Sequence, residues 1–134
     1  MKLFSMVTLS LMFFSFSTYA NLLFNCENSA EIASSAVVLK SEALNFTKSS
    51  VCELSPGLVV DGLRLAHRAE DLAEEAAEGH TCFRLKMQFA NVAHAYAHLK
   101  LRLSAVEDLH GPGLVESFYG LDSAYMDLKS EVNL

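Results

Sequence analysis

The sequence feature that most constrains the fold is an uninterrupted helical pattern over residues 83–108. These 26 residues contain no Gly or Pro, and apolar residues recur at alternating spacings of four and three, which is the seam of a heptad-patterned helix. A second apolar stripe, marked by Phe83, Met87, His94 and Leu101, lies about 160° away around the helix. A helix that is apolar on two sides needs two partners. It is either the central helix of its domain or it offers its second face to another chain.

Three further segments carry a single seam with the same spacing. They cover residues 32–46, 58–76 and 114–132, and short connections join them. Short loops make sequential helices antiparallel neighbours, and no stretch alternates convincingly enough for a strand. We therefore predict an all-α fold, an up-down-up-down four-helix bundle.

Residues typical of helix ends support these boundaries. Asn28 and Glu31 are spaced as in a capping box, and Pro56 suits the first position of the second helix. Gly79 is a natural stop for that helix. Its seam is rich in Ala and Gly, which predicts close approach to a neighbouring helix.

The amino terminus has the pattern of a secretory signal. Lys2 precedes an apolar run over residues 3–16, and the small residues Thr18 and Ala20 fit a cleavage site after Ala20. We therefore expect a signal peptide over 1–20, one mature domain over 21–134, and a periplasmic or secreted location. After cleavage we expect no association with the membrane.

The mature chain is acidic. Loss of Lys2 leaves nine Lys and Arg residues against 16 Asp and Glu residues, a net charge of −7. This balance argues against nucleic acid, whose binding needs a basic patch, and against anionic membrane surfaces. It favours a basic protein partner, although a net acidic surface also simply keeps a secreted protein soluble.

The three cysteines are an odd set for an oxidising compartment. In the predicted bundle Cys26 and Cys82 share one end, whereas Cys52 lies about a helix length away, and a disulfide needs close Cα atoms. We predict a Cys26–Cys82 disulfide. Cys52 is then free or bridges two chains. The second stripe on the third helix also suggests a homodimer, unless that helix is wedged between the second and fourth helices.

No pattern of residues specifies a metal, a haem or a catalytic centre. His94 and His98 are four apart on one helix, a spacing that metal ligands use, but neither lies on the core seam, and His67 also faces away from the core. The C-x-x-C-H haem motif is absent, as is a nucleophile with a base and an orienting acid. We expect neither cofactor nor enzymatic activity.

What remains is protein recognition, for which the sequence offers three surfaces. One is the second stripe of the third helix, the candidate dimer contact. Another is the loop at 110–113, where we consider His110 and Pro112. The third is the acidic face of the second helix, the sharpest charge feature in the chain: Glu70, Asp71, Glu74, Glu75 and Glu78.

In layout the chain resembles the small helical periplasmic immunity proteins that neutralise cell-wall-degrading effectors of type VI secretion. The resemblance covers the signal peptide, mature size, helical content and cysteines, and it rests on no motif, so it transfers no binding residue. It implies an inhibitor that occludes the active cleft of a peptidoglycan hydrolase. A periplasmic bundle that carries metal or haem, and a periplasmic chaperone, remain the alternatives.

Overall fold

The computed structural model describes residues 27–51, 53–79, 81–106 and 112–132. These residues form four α-helices: α1 (Ser29–Ser50), α2 (Pro56–Ala77), α3 (Cys82–Leu103) and α4 (Pro112–Val132). No strand occurs in the described parts of the chain. The predicted all-α, four-helix fold is therefore confirmed. The predicted signal peptide and its cleavage site lie outside the described residues.

The core is built from the seams that the sequence predicts. Each helix contributes one row of buried side chains at helical spacing, as expected for amphipathic helices around a common core. The largest fully buried side chains include Ile32, Leu39 and Phe46 of α1, Leu65 and Leu72 of α2, Leu85, Val92 and Leu99 of α3, and Leu121, Leu128 and Val132 of α4.

Polar contacts show which parts of the helices meet. Asn28 Nδ2, just before α1, donates to the backbone oxygen of Glu131 at the end of α4, 2.7 Å away. At the opposite end, Ser117 Oγ of α4 donates to Ser49 Oγ of α1 across 2.8 Å. The two helices therefore lie side by side with opposite directions.

One helix pair packs unusually closely, as the small residues of the α2 seam predict. A Cβ atom added at Gly62 would lie 2.5 Å from Thr47 Oγ1 and 3.3 Å from the Phe46 ring. Both neighbours belong to α1 and are buried. Only a residue without a side chain fits between these two helices at this level.

The predicted helix ends at Pro56 and Gly79 are confirmed, whereas the predicted cap at the start of α1 is not. Pro56 begins α2, and Gly79 follows it with a positive φ of 74°, as in a glycine-terminated helix. Thr81 caps α3 by accepting a hydrogen bond from the Arg84 N–H. The predicted capping box at Asn28 is wrong: its side chain makes no cap. Its Nδ2 donates to Glu131 of α4, which orients the side chain so that Oδ1, the atom a cap would use, accepts no hydrogen bond among the described residues.

Helix α3 is shorter than the predicted 83–108. It ends at Leu103. The Ser104 N–H still bonds four residues back to Lys100, whereas the N–H groups of Ala105 and Val106 bond three residues back. Ser104 Oγ also donates to the Leu101 carbonyl at 2.6 Å, a local bond that competes with regular helix. Val106 still packs on the core from this turn, which explains why the apolar pattern runs past the helix. Within the described ranges, no helix is long and apolar enough to span a bilayer.

Candidate functional site

The outward face of α3 carries a row of exposed apolar side chains. Phe83 is 68%, Met87 53% and Leu101 70% exposed, and His94 between them is also exposed. We call these four residues the outer row of α3. Because these side chains are exposed, the second apolar stripe of α3 is not wedged between α2 and α4.

Packing of the opposite side of α3 turns this row outward. Tyr96 stacks on Tyr125 of α4 with ring centroids 4.0 Å apart, and Phe89 stacks on the same ring at 6.4 Å. The Tyr96 hydroxyl donates to Asp122 Oδ1. Burial raises the pKa of Tyr125 above its usual value, because the anionic form of the phenol loses solvation there. Aromatic contacts of this kind hold one face of α3 against α4.

The acidic face of α2 is partly neutralised by neighbouring helices. Glu70 accepts a 3.0 Å hydrogen bond from Lys40 of α1. Glu75 accepts two from Arg84 of α3, each 3.0 Å long. These bonds raise the pKa of the Arg84 guanidinium, since the neighbouring carboxylate favours the cation. Two of the five predicted partner-binding carboxylates thus tie α2 to α1 and α3.

The other three residues of the predicted acidic face are exposed to solvent to different degrees. Glu74 and Glu78 are exposed, and Asp71 is half-buried. Asp71 lines a shallow groove of about 410 Å³ together with His67 and Arg68. The predicted acidic face is therefore interrupted by basic side chains at the level of Asp71.

A buried carboxylate organises the surface between α2 and α3. Asp61 is only 3% exposed, and Arg102 Nη1 lies 3.2 Å from its Oδ2. Its Oδ1 is 3.3 Å from Arg64 Nη1 and 3.8 Å from His98 Nε2. A buried carboxylate normally requires such cationic partners. We call Asp61, Arg64, His98 and Arg102 the Asp61 cluster.

Sequence reasoning missed this cluster, although a signal for Asp61 was present. Asp61 lies three residues after Leu58 and four before Leu65, two members of the buried α2 seam. An acidic residue at a seam position predicts a buried charge that needs partners. Which residues supply those partners depends on the register between α2 and α3.

The histidines do not meet as metal ligands would. His94 and His98 line one groove together with two arginines, while His67 lines the neighbouring one. In the residues that the structure describes, no group of three or more His, Cys, Asp or Glu side chains is arranged to hold a metal ion. Arginines beside the imidazoles also disfavour a cation there by electrostatic repulsion.

Several predicted site residues lie outside the described parts of the chain. They are Cys26, Cys52 and His110; Pro112 begins α4, but its side chain is not described. Cys82 is half-buried at the start of α3 and packs against the core. The Cys26–Cys82 disulfide and the fate of Cys52 therefore stay predictions.

No family model, no curated protein and no solved structure matches the chain. The function is therefore inferred from the exposed surfaces of α2 and α3.

Proposed function

We propose that this chain is an exported protein that acts by binding another protein, as an inhibitor or immunity protein that occludes a peptidoglycan-degrading effector. The observation that carries the proposal is the outer row of α3. Its Phe, Met and Leu side chains are each more than half exposed. Phe and Met are enriched at protein interfaces, and burial of large apolar side chains contributes to binding.

The dimensions of the outer row suit an interface. From Phe83 to Leu101 the row extends over about 27 Å of helix, at 1.5 Å per residue. Full burial of one such side chain is worth about 1.5–3 kcal/mol. Because 53–70% of each side chain is still exposed, covering all three would contribute about 3–6 kcal/mol.

The charge distribution adds a basis for partner choice. The mature chain carries −7 by sequence, and Glu74 and Glu78 of α2 are exposed. A basic partner would be steered toward such a surface and would associate faster at low salt. This charge supports a basic cell-wall hydrolase as the partner.

We also infer that the four helices are connected up-down-up-down. Support comes from pairs of contacts between sequential helices: Lys40 of α1 meets Glu70 of α2, and Glu75 of α2 meets Arg84 of α3. Thr47 of α1 lies beside Gly62 of α2, so from this contact to Lys40–Glu70 the residue numbers fall along α1 while they rise along α2, as in antiparallel neighbours. Glu75 near the end of α2 meets Arg84 near the start of α3, which fits the same arrangement. This arrangement would place Cys26 and Cys82 at one end, in keeping with the predicted disulfide.

The test is retention and inhibition of a hydrolase by the oxidised mature protein, residues 21–134. Immobilised protein is incubated with periplasmic and whole-cell lysates of neighbouring strains, and retained proteins are identified by mass spectrometry. We expect one peptidoglycan hydrolase, retained stoichiometrically and inactive on purified cell wall. Retained proteins without hydrolase activity, or a retained hydrolase that stays active, would contradict the proposal.

The control separates the outer row from general stickiness. Leu101→Ser removes an apolar side chain from the row, whereas Val37→Ser removes one that is 54% exposed on α1. We expect only the first substitution to release the hydrolase. The outer row could instead bind a second copy of the chain. Light scattering of the wild type and both variants tests this alternative. A dimer that is lost only in Leu101→Ser would assign the row to self-association.

A further inference from the structure

A concave surface that is lined by basic and neutral side chains, with no carboxylate among them, lies between α2 and α3. It encloses about 270 Å³ and is lined by Arg64, Arg68, Asn91, His94, Ala95 and His98. We call it the basic groove. In a chain whose Asp and Glu residues outnumber Lys and Arg by 16 to 10, such a concentration of cationic groups is unexpected.

Helical spacing places these groups opposite each other. Arg64 and Arg68 are four residues apart and therefore lie on the same side of α2. His94 and His98 have the same spacing on α3, and Asn91 lies one turn before His94. All of them contribute N–H donors, and the planar guanidinium groups suit oxyanions with two parallel hydrogen bonds.

The Asp61 cluster adjoins the groove through Arg64 and His98, which belong to both. The buried Asp61 carboxylate contacts Arg64 Nη1 at 3.3 Å and Arg102 Nη1 at 3.2 Å, which restrains both guanidinium groups. One carboxylate faces two arginines here, and Arg68 adds a third nearby. The groove therefore keeps a net positive charge even with both histidines neutral.

Arg68 is the group left for a ligand. Among the described residues, no carboxylate lies within 4.0 Å of its guanidinium nitrogens, whereas Arg64, Arg84 and Arg102 each have such a partner. Asp71 lines the adjoining groove beside Arg68 without pairing with it. An exposed arginine at the mouth of a concave donor set is positioned to engage an external anion.

We propose that the basic groove binds the phosphate or carboxylate group of a small molecule, with Arg68 and Arg64 as the principal ligands and Asn91 and His98 as additional donors. The volume of about 270 Å³ corresponds to about nine water molecules at 30 Å³ each. It holds one oxyanion together with a small organic body. This proposal rests on other side chains than the protein partner proposed above, apart from His94, which belongs to both surfaces.

The test is isothermal titration of the mature protein with inorganic phosphate and with citrate, against sodium chloride at equal ionic strength. We expect saturable binding of at least one of the two anions with a Kd of about 1 mM or lower. Arg68→Gln should weaken that binding at least tenfold. The matched control is Lys129→Gln, which removes the same charge from an exposed position on α4, and it should change the Kd less than twofold.

Three outcomes would overturn the proposal. They are the absence of saturable binding by both anions, unchanged binding in Arg68→Gln, and equal weakening by Lys129→Gln, which would indicate a response to net charge alone. Far-UV circular dichroism of each variant verifies the fold, and both substituted residues are exposed. Chemical shifts of arginine side-chain N–H groups on phosphate addition give a second readout that localises the anion to the groove.

Discussion

Replacement of Gly62 by Ala should destabilise the protein, although Ala is the better helix former. The new Cβ atom would lie 2.5 Å from Thr47 Oγ1 and 3.3 Å from the Phe46 ring. Neither neighbour can withdraw easily, because both are buried and the Thr47 hydroxyl donates to the Ala43 carbonyl at 2.9 Å.

The magnitude follows from two opposing effects. Overpacking of a tightly packed contact costs about 1–3 kcal/mol. Removal of a helix-interior glycine returns about 1 kcal/mol. We therefore expect the free energy of unfolding to fall by about 1 kcal/mol, which lowers Tm by about 4 °C for a domain of this size.

Urea unfolding followed by circular dichroism measures this change, with Gly120→Ala as the matched control. At Gly120 the nearest atom to a new Cβ is Glu42 Oε1 at 2.6 Å, the end of a flexible side chain that can turn aside. That variant should gain up to about 1 kcal/mol from helix propensity. Equal stabilisation by both substitutions would refute the close approach of α1 and α2, and Thr47→Ala should relieve the cost of Gly62→Ala.

Three other predictions concern stability. Arg102→Gln should lower the free energy of unfolding by about 1–3 kcal/mol, because the buried Asp61 loses a counter-charge; an equal loss in the Asp61→Asn background would show that the two residues do not interact. Burial raises the pKa of Tyr125 above 10.0, so wild type loses stability as pH rises from about 10 through the folded-state pKa, because the phenolate is better solvated in the unfolded chain; in denaturant titrations the stability difference between wild type and Tyr125→Phe should be constant below about pH 10 and should shift against wild type in alkali. Peptide mapping under oxidising conditions should recover Cys26 linked to Cys82, and reduction should cost about 4 kcal/mol; recovery of Cys82 joined to the third cysteine would contradict the predicted pairing.

The sequence predicts the helices and the core because both depend on local spacing. Apolar residues at intervals of three and four identify the buried side of each helix whichever helices pack together, so Leu39, Leu65, Leu99 and Leu128 could all be placed in the core. The Ala and Gly content of α2 likewise predicts close packing at Gly62. Such features require no knowledge of which helices are neighbours.

The predictions that failed had two kinds of cause. The 83–108 helix missed the local turn at Ser104, whereas the cap at Asn28 depended on a contact between distant parts of the chain. Asn28 has a good capping side chain, but Glu131, 103 residues away, engages its amide. The second stripe of α3 was visible in the sequence, whereas its exposure follows from how Tyr96 and Tyr125 orient the helix.

The basic groove illustrates the same limit. Its arginines come from α2, where they stand among acidic residues, and its histidines come from α3, a helix that contains Lys and Arg but no Asp or Glu. Asp61 could have been identified as a buried charge from its seam position, but its pairing with Arg102 joins residues 41 positions apart. The spacing of residues within one helix therefore predicts which side of that helix is buried. The composition of a groove between two helices depends on how the helices are aligned with each other, which the spacing does not show.

The proposed inhibition is tested most directly by titrating the captured hydrolase with the mature protein, with cell-wall clearing as the readout. We expect the activity of the hydrolase to fall to zero at a fixed stoichiometry of the two proteins. Leu101→Ser should raise the concentration needed at least tenfold, about 1.4 kcal/mol of binding energy, whereas Val37→Ser should act like wild type. Full inhibition by Leu101→Ser at the wild-type stoichiometry and affinity would show that the outer row of α3 is not the binding surface.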